Sequence, residues 1–481
     1  MNRNPFHLTA QLLRITVAAC SILITLWAFA WVLTRPLRTA GDDPNRIELT
    51  VLHWSGGGGP EEDQIIIDLL DAFQERNPHI RIKRINPGDA ASLYTKLQTM
   101  FAAGTPPDVF YMGSERVASF AGKNLLMPID ALIESDRGAD ADTLDLDDFY
   151  APTVDCFRFD GQRTGRGPLY GVPKDFTTVG FYYNKDLFDR AGVPYPPDDW
   201  TWDEFAETAR RLGRLDGVTG AEFVTWSSIV RLFLWTHGLD VANDDFTEWH
   251  VTDPEVIATL NRIADWRFNE TGTLTSGKSQ VATGEDVFVS GRVAMAGPFG
   301  RWVVPTYRKI RDFRWDFAPL PHASVKANVV FTVAWSIARE SRHPQQAWEL
   351  VKFLTGPEGQ ARAARLGLAI PTLKSVSRSD AFVQPDIPPS RDYVYLDQAE
   401  YARVVPWPSE PRYEQQFANR MDEALMSGVV NVEQAAENVL RDWRRIRETP
   451  LAATDFPPMP WARIVWFTLL PILALLLFGL Y

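Results

Sequence analysis

The sequence predicts an α/β body with an apolar segment at each end, on three observations. Strand-like and helix-like periodicities alternate from residue 47 to 112. Two uncharged stretches of membrane-span length lie near the termini. At 45% hydrophobic and 23% charged over 481 residues, the composition is that of an ordinary globular chain long enough for two or three domains. Its 49 Lys+Arg against 61 Asp+Glu leave a net charge of −12, which argues against neutralising nucleic-acid phosphates as a mode of action. Cys156 stands alone in the body and Cys20 lies in the first apolar stretch, so neither an internal disulfide nor a multi-thiolate zinc site is available.

The first apolar stretch, Ile15 to Leu33, is 19 uncharged residues long, close to what a layer of about 30 Å requires at about 1.5 Å per residue. Trp27 and Trp31 sit towards its outer end and Arg35 and Arg38 follow. It reads as an uncleaved transmembrane anchor in residues 1–34, with a linker over 35–46. A cleaved signal is the competing reading, but the stretch is long and no small-x-small site closes it. Val17-Ala18-Ala19-Cys20 resembles a lipoprotein box placed too early in the run. The second stretch, Ile464 to Tyr481, has 18 uncharged residues flanked by Trp461 and Trp466. It is expected to form a C-terminal transmembrane helix over 461–481 after a proline-rich linker at 447–460, with a buried core helix as the alternative.

Within the body, Ile47 to His53 alternates as a strand and ends in Trp54-Ser55 and the glycine run Gly56 to Gly59. Pro60 and the acids Glu61, Glu62 and Asp63 suit the first turn of a helix carrying Ile65, Ile66, Leu69, Leu70 and Phe73. Ile80 to Ile85 is a second strand. Ser92 caps a helix that Gly104 ends, and Asp108 to Met112 is a third strand. This alternation predicts a mainly parallel sheet covered on both faces. Farther on, Gly180 to Asn184, Phe317 to Leu320 and Val329 to Ile337 read as strands. Trp202 to Leu212, Val256 to Phe268, Pro344 to Leu354, Tyr413 to Met426 and Val432 to Ile446 read as helices. The acidic run Asp140 to Asp148 lacks the Gly and Glu of a calcium loop and reads as a solvated loop.

Several chemistries find no support. No two of the seven histidines have the spacing of a helical metal pair, and no GxSxG, GxxxxGK[ST] or GxGxxG motif occurs. Paired carboxylates for glycoside cleavage have no sequence signature and stay open. The aromatics are more informative. Of 17 Trp, Trp54, Trp226, Trp302 and Trp407 fall in loop-like contexts with polar neighbours. Trp235, Trp266, Trp335, Trp348 and Trp443 lie on elements and read as core. A sugar presents apolar C–H faces and a hydroxyl rim, so its site needs flat rings edged by polar groups. Taken alone, any one of these rings reads first as core packing.

Five motifs in order carry a family resemblance: IELTVLHWSGGGG, KLQTMFAAGTPPDVF, LYGVPKDFTTVGFYYNKDLFDRAGVPYPPDDWTWDEF, FVSGRVAMAGPFGRW and HPQQAWELVKFLTGPEGQ. Together they resemble the extracellular solute-binding proteins of carbohydrate ABC importers, the maltose and multiple-sugar type. The resemblance implies a two-lobed periplasmic-binding-protein fold of type II, with ligand in the cleft and hinge closure on binding. Lobe 1 would comprise 47–174 plus 328–372, and lobe 2 would comprise 175–327 plus 373–446, with Phe176 to Gly180 at the first crossing. It implies ligand contacts at Trp54 and Ser55, at Gly113 and Ser114, at Lys174 and Asp175, at a stacking Phe299, and at Trp226 and Trp302. It implies no catalysis and no cofactor. The expected partners are a carbohydrate, ABC permease subunits and a separate ATPase chain, and no nucleic acid.

The ends depart from the family, whose members are released into the periplasm or held by one lipid. The C-terminal FTLLPILALLLFGLY also looks like the opening helix of an importer's permease, which suggests a binding protein fused to, or split from, its channel. The expectation is a receptor in the cytoplasmic membrane with its body on the periplasmic or extracellular side. A membrane-tethered sugar sensor is the alternative. So is an sn-glycerol 3-phosphate binder, with Lys174, Arg231 and Arg301 as the available cations.

Overall fold

The computed structural model describes residues 21–27, 46–56, 59–138, 144–270, 272–274 and 287–449. It forms two compact units, Met1–Ile47 and Glu48–Tyr481. In the first unit, residues 21–27 are helical, with the Thr25 hydroxyl donating to the Ser21 carbonyl at 2.8 Å. Among the described residues no helix is long and apolar enough to cross a membrane. The expected fold class is therefore corrected: the described residues form a two-lobed α/β fold, and no N- or C-terminal transmembrane helix is found among them. Residues 15–20 and 28–33 of the first expected span, and all of 461–481, lie outside the described residues, as do Gly57, Gly58 and residues 140–143 of the acidic run.

Two sheets organise the second unit. The first has six strands in the order Ile370–Pro371, Val172–Thr177, Phe331–Ile337, Val109–Gly113, Ile47–Leu52 and Ile80–Ile85. The second has four, in the order Trp315–Pro319, Gly180–Asn184, Val293–Phe299 and Thr219–Phe223. The expected, mainly parallel sheet proves mixed. Ile47–Leu52 pairs parallel with Val109–Gly113, but Phe331–Ile337 runs antiparallel to both its neighbours. The reason lies in connectivity. A helix crossover between neighbouring strands enforces parallel pairing, whereas Phe331–Ile337 returns from the other sheet and is free of that constraint.

Local chemistry fixes the helix starts. Asp89, three residues ahead of the expected cap Ser92, accepts the Ser92 N–H at 2.9 Å and starts the helix Ala90–Ala102. The helix Trp202–Leu212 opens on a reciprocal capping box between Thr201 and Glu204. Its apolar face enters an aromatic core: Phe181 lies 4.6 Å from Phe205 and Trp202 lies 4.8 Å from Phe233, centroid to centroid. Trp235, Trp266, Trp335, Trp348 and Trp443 are all buried. The closing helices Arg412–Leu425 and Val432–Glu448 pack on each other and on Pro254–Ala264, where Asn261 donates to Glu433 at 2.9 Å.

The chain passes between the sheets at 177–180 and 328–330, and one side chain ties the two passages together. Asn328 is fully buried. Its Oδ1 accepts the Val179 N–H at 3.0 Å, and its Nδ2 donates to the Val179 carbonyl at 2.8 Å and to Gln398 at 2.8 Å. The amide thus imitates one rung of a β-ladder. Nearby, the buried Arg301 guanidinium pairs with the buried Asp392 carboxylate, donates to the Gly367 carbonyl at 3.2 Å, and lies over the Phe382 and Tyr395 rings. Farther along, Lys374–Ser377 packs on the first side: Lys374 Nζ donates to the Asp147 carbonyl at 2.9 Å and Ser377 meets the Tyr150 hydroxyl at 3.0 Å.

Candidate functional site

The C-terminal ends of the first-sheet strands Ile47–Leu52 and Val109–Gly113 open onto a cleft of about 310 Å³ between the two sheets. The first strand is anchored by buried Leu49, Val51 and Leu52, and by the Thr50 N–H donating to Asp108 at 2.8 Å. That anchoring delivers Trp54 to the mouth of the cleft. Tyr111, from the neighbouring strand, holds the indole edge-on at 4.9 Å and 78°.

Facing it are two rings from the other lobe. Trp226 sits at the cap of the helix Ser227–Thr236, and Trp302 lies in the turn Arg301–Val303 that follows Val293–Phe299. Their centroids are 6.0 Å apart with planes inclined 35°, and Phe331 braces Trp302 edge-on at 5.7 Å. Trp226 is 43% exposed. A tryptophan in the well-packed wall of a cleft that keeps this much apolar surface in water gains by covering it with a ligand.

The floor carries charge. Lys174 and Asp175 are adjacent on Val172–Thr177 and form an ion pair, with the ammonium 4.8 Å from the Tyr111 centroid. Burial opposes that charge, yet Asp175, Tyr111 and Glu62 hold the lysine well above its usual range. Glu62, in the first turn of the helix Gly59–Arg76, accepts the Gly56 N–H at 2.8 Å and also lines the cleft. Glu115 is open to the cleft, yet the protein packed around it pushes its carboxyl above the usual range.

Six of the nine expected site residues line this cleft: Trp54, Ser114, Lys174, Asp175, Trp226 and Trp302. Ser55 is turned into the first lobe, donating to Asp63 at 3.3 Å and accepting from Asn86 at 2.7 Å. Gly113 makes room for a neighbour. A Cβ there would stand 2.4 Å from the Glu115 carboxylate oxygens, and its N–H donates to the Tyr94 hydroxyl at 2.8 Å. Phe299 is fully buried 6.0 Å from Trp226, because its place opposite Gly180 in the second sheet turns it inward. The cleft also takes in Thr177, Thr332, Leu368 and Ala369, small or apolar residues that carry no distinguishing sequence signal.

Two of the three cations considered for a phosphate ligand are already engaged. Arg231 is fully buried and forms a two-pronged contact with Asp240, both prongs at 2.8 Å, and Arg301 is held by Asp392. Lys174, the third, faces the cleft with Asp175 as its counter-charge.

Behind Trp54, His53 is fully buried. Burial lowers its pKa to about 4, an effect that Arg84 adds to and the Trp54 carbonyl opposes. Because the folded value is depressed, the neutral ring stabilises the fold above about pH 6.5, and that contribution is lost as pH falls towards 4. A shift of this size corresponds to at most about 3 kcal/mol. Chemical denaturation across pH 7 to 4 should show His53→Gln with a shallower loss of stability than the parent. Equal slopes would refute the assignment.

The profile of the family described as "Bacterial extracellular solute-binding protein" matches residues 57–361. A binding protein of Brucella abortus is 24% identical over 76% of this chain and 85% of its own. Among solved structures, an ABC substrate-binding protein of Listeria monocytogenes in complex with cycloalternan superposes with a TM-score of 0.73. It is 22% identical and the match covers 84% of this chain and 99% of that one. UgpB of Mycobacterium tuberculosis in complex with glycerophosphocholine gives 0.70 at 20% identity, covering 84% and 99%. The two-sheet fold and the profile match over more than half its length agree: this chain belongs to the bacterial extracellular solute-binding proteins.

Proposed function

We propose that the chain captures a sugar in the cleft between its two sheets, on the outer side of the cytoplasmic membrane, and delivers it without chemical change to an ABC permease served by a separate ATPase chain. The observation that carries this reading is the pair Trp226 and Trp302 facing Trp54 across a space edged by Ser114, Lys174, Asp175 and Glu62. Flat rings cover the C–H faces of a sugar, and the polar rim meets its hydroxyls. The sheet memberships support one lobe built on 47–177 and 331–377 and another built on 180–327 and the closing helices. The lobes close because the ligand touches both walls only when they approach. Membership in a family of binding proteins supports a receptor over an enzyme.

The UgpB likeness raises a phosphodiester ligand as the second reading. Engagement of Arg231 by Asp240 and of Arg301 by Asp392 speaks against it. A thermal-shift panel of the full chain decides between them. A neutral sugar at about 100-fold over its Kd should add about 2.7 kcal/mol of stability, and sn-glycerol 3-phosphate or glycerophosphocholine should add nothing. Stabilisation by the phosphates alone, or release of smaller sugars from an oligosaccharide during incubation, would overturn the reading.

A further inference from the structure

Outside the sugar cleft, two loops from opposite lobes meet through charge. From the first lobe comes the hairpin of Arg158–Phe159 and Thr164–Leu169. It is tied down at Asp130, whose carboxylate accepts the Leu169 N–H at 2.8 Å and the Arg158 guanidinium at 3.3 Å. From the second lobe comes the turn 243–248, which lies between the helices Ser227–Thr236 and Pro254–Ala264. Arg163 stands 3.2 Å from both Asp244 and Asp245, and Arg166 reaches Asp245 at 3.4 Å.

Both ends of this contact are held by further bonds. In the hairpin, Asp160 accepts the Gln162 and Arg163 N–H groups at 2.8 and 2.9 Å and pairs with Arg166. In the turn, the Asn243 side chain accepts the Thr247 N–H at 2.9 Å and the Glu248 N–H at 3.2 Å. Phe246 stands at φ 58°, a left-handed conformation that a bulky residue keeps only where its surroundings compel it. Packing supplies the compulsion: its ring lies 4.9 Å from Trp443 and 5.3 Å from Tyr413, on the two closing helices. This residue seats the turn on the second lobe and sets Asp244 and Asp245 against the hairpin.

A single exposed ion pair is worth little, but here three contacts share four residues, and Arg163 keeps only 23% of its side chain in water. We propose that Arg163, Arg166, Asp244 and Asp245 form an ionic strap that presets the cleft, so that affinity for an uncharged solute depends on ionic strength. The inference rests on the sugar-binding reading above and adds a control to that site. In the arrangement that the strap fastens, Trp54 of the first lobe and Trp226 and Trp302 of the second border one space. A sugar needs that arrangement, and its apparent affinity scales with the fraction of molecules already in it. Salt screens the strap and lowers that fraction.

Two measurements on the full chain test this. The first needs no ligand: spin labels at Glu134 and Val429, exposed positions on the two lobes, read the distance between lobes in a Cys20→Ser background, where the buried Cys156 stays unlabelled. Raising salt from about 0.02 to about 0.5 M should lengthen or broaden that distance. Asp244→Asn with Asp245→Asn should do the same at low salt, and so should Arg163→Gln, which cuts the strap from the opposite lobe and carries the test if the turn repacks. The second measurement is calorimetric titration with glucose, galactose, mannose and their neutral disaccharides. The parent should bind its best sugar about 3- to 10-fold more weakly at high salt, and the double variant should be weaker by that factor at low salt and indifferent to salt. A distance and an affinity that ignore both salt and substitutions, or tighter binding once the strap is cut, would overturn the inference and leave sugar capture standing. A distance that responds in a chain that binds no sugar would overturn the sugar reading and leave the strap standing.

Discussion

Asp392→Ala should lower the unfolding free energy by about 3–5 kcal/mol, the range for removing one partner of a buried ion pair. The reason is what remains behind. Arg301 is fully buried between the Phe382 and Tyr395 rings, and without Asp392 its guanidinium keeps one backbone acceptor, the Gly367 carbonyl. A charge so placed is neither hydrated nor neutralised, because arginine does not give up its proton in proteins. The double variant Arg301→Met with Asp392→Leu should recover most of the loss, since an apolar pair of similar volume removes the unpaired charge. Denaturant titration followed by tryptophan emission reads both. A single-variant loss below about 1 kcal/mol would show that water reaches the guanidinium.

Trp226→Ala and Trp302→Ala should each weaken the best sugar by about 30- to 150-fold, equivalent to about 2–3 kcal/mol for an aromatic anchor in a cleft. Trp226 is the cleaner probe. Its ring is nearly half exposed in the free protein, so truncation removes little packing and the melting temperature should barely move. Trp302 supports the Trp226 ring and meets Phe331, so its loss should reduce both affinity and stability. Unchanged affinity in Trp226→Ala, measured by calorimetry, would remove the second lobe's wall from the site. Phe299→Ala makes a useful contrast: the side chain lies in the core, so it should cost stability first and affinity only through a displaced Trp226.

The parts of this fold that were legible in the sequence are those where one local pattern is sufficient. Trp202–Leu212 has a capping box, an acidic first turn, a basic last turn and an apolar stripe, and its observed bounds match the expected ones. Gly180–Asn184 likewise matches, as a short, fully buried strand. Lys174 and Asp175 are expected as ligand contacts, but the strand Val172–Thr177 that carries them is not expected. Lys174 and Asp175 interrupt its apolar pattern, and its ladder partners come from residues 331–337 and 370–371, far along the chain. Thr219–Phe223 hides for a similar reason, since its glycine and glutamate mask a strand that the aromatic core stabilises from outside.

The site divides in the same way. Trp54, Trp226 and Trp302 stand out because a tryptophan in a loop with polar neighbours has no obvious packing role. Phe299 misleads, because whether a ring after Gly-Pro faces the cleft or the core is decided by its register against Gly180, which no single segment encodes. Glu62 and Glu115 carry no distinguishing signal. An acid in a first helical turn is already explained by the helix dipole, and Glu115, just past the strand Val109–Gly113, reaches the cleft only because that strand ends there.

The Asn328 amide makes the crossing a clasp. Fully buried, it is bonded to both backbone groups of Val179, to the Val329 N–H and to Gln398, so the two passages are fastened to each other and any change of angle between the sheets has to be shared by both. Under the reading proposed above, in which a solute draws the lobes together, occupancy would be expressed as one angle, and a protein docking across both lobes could sense a solute without touching it.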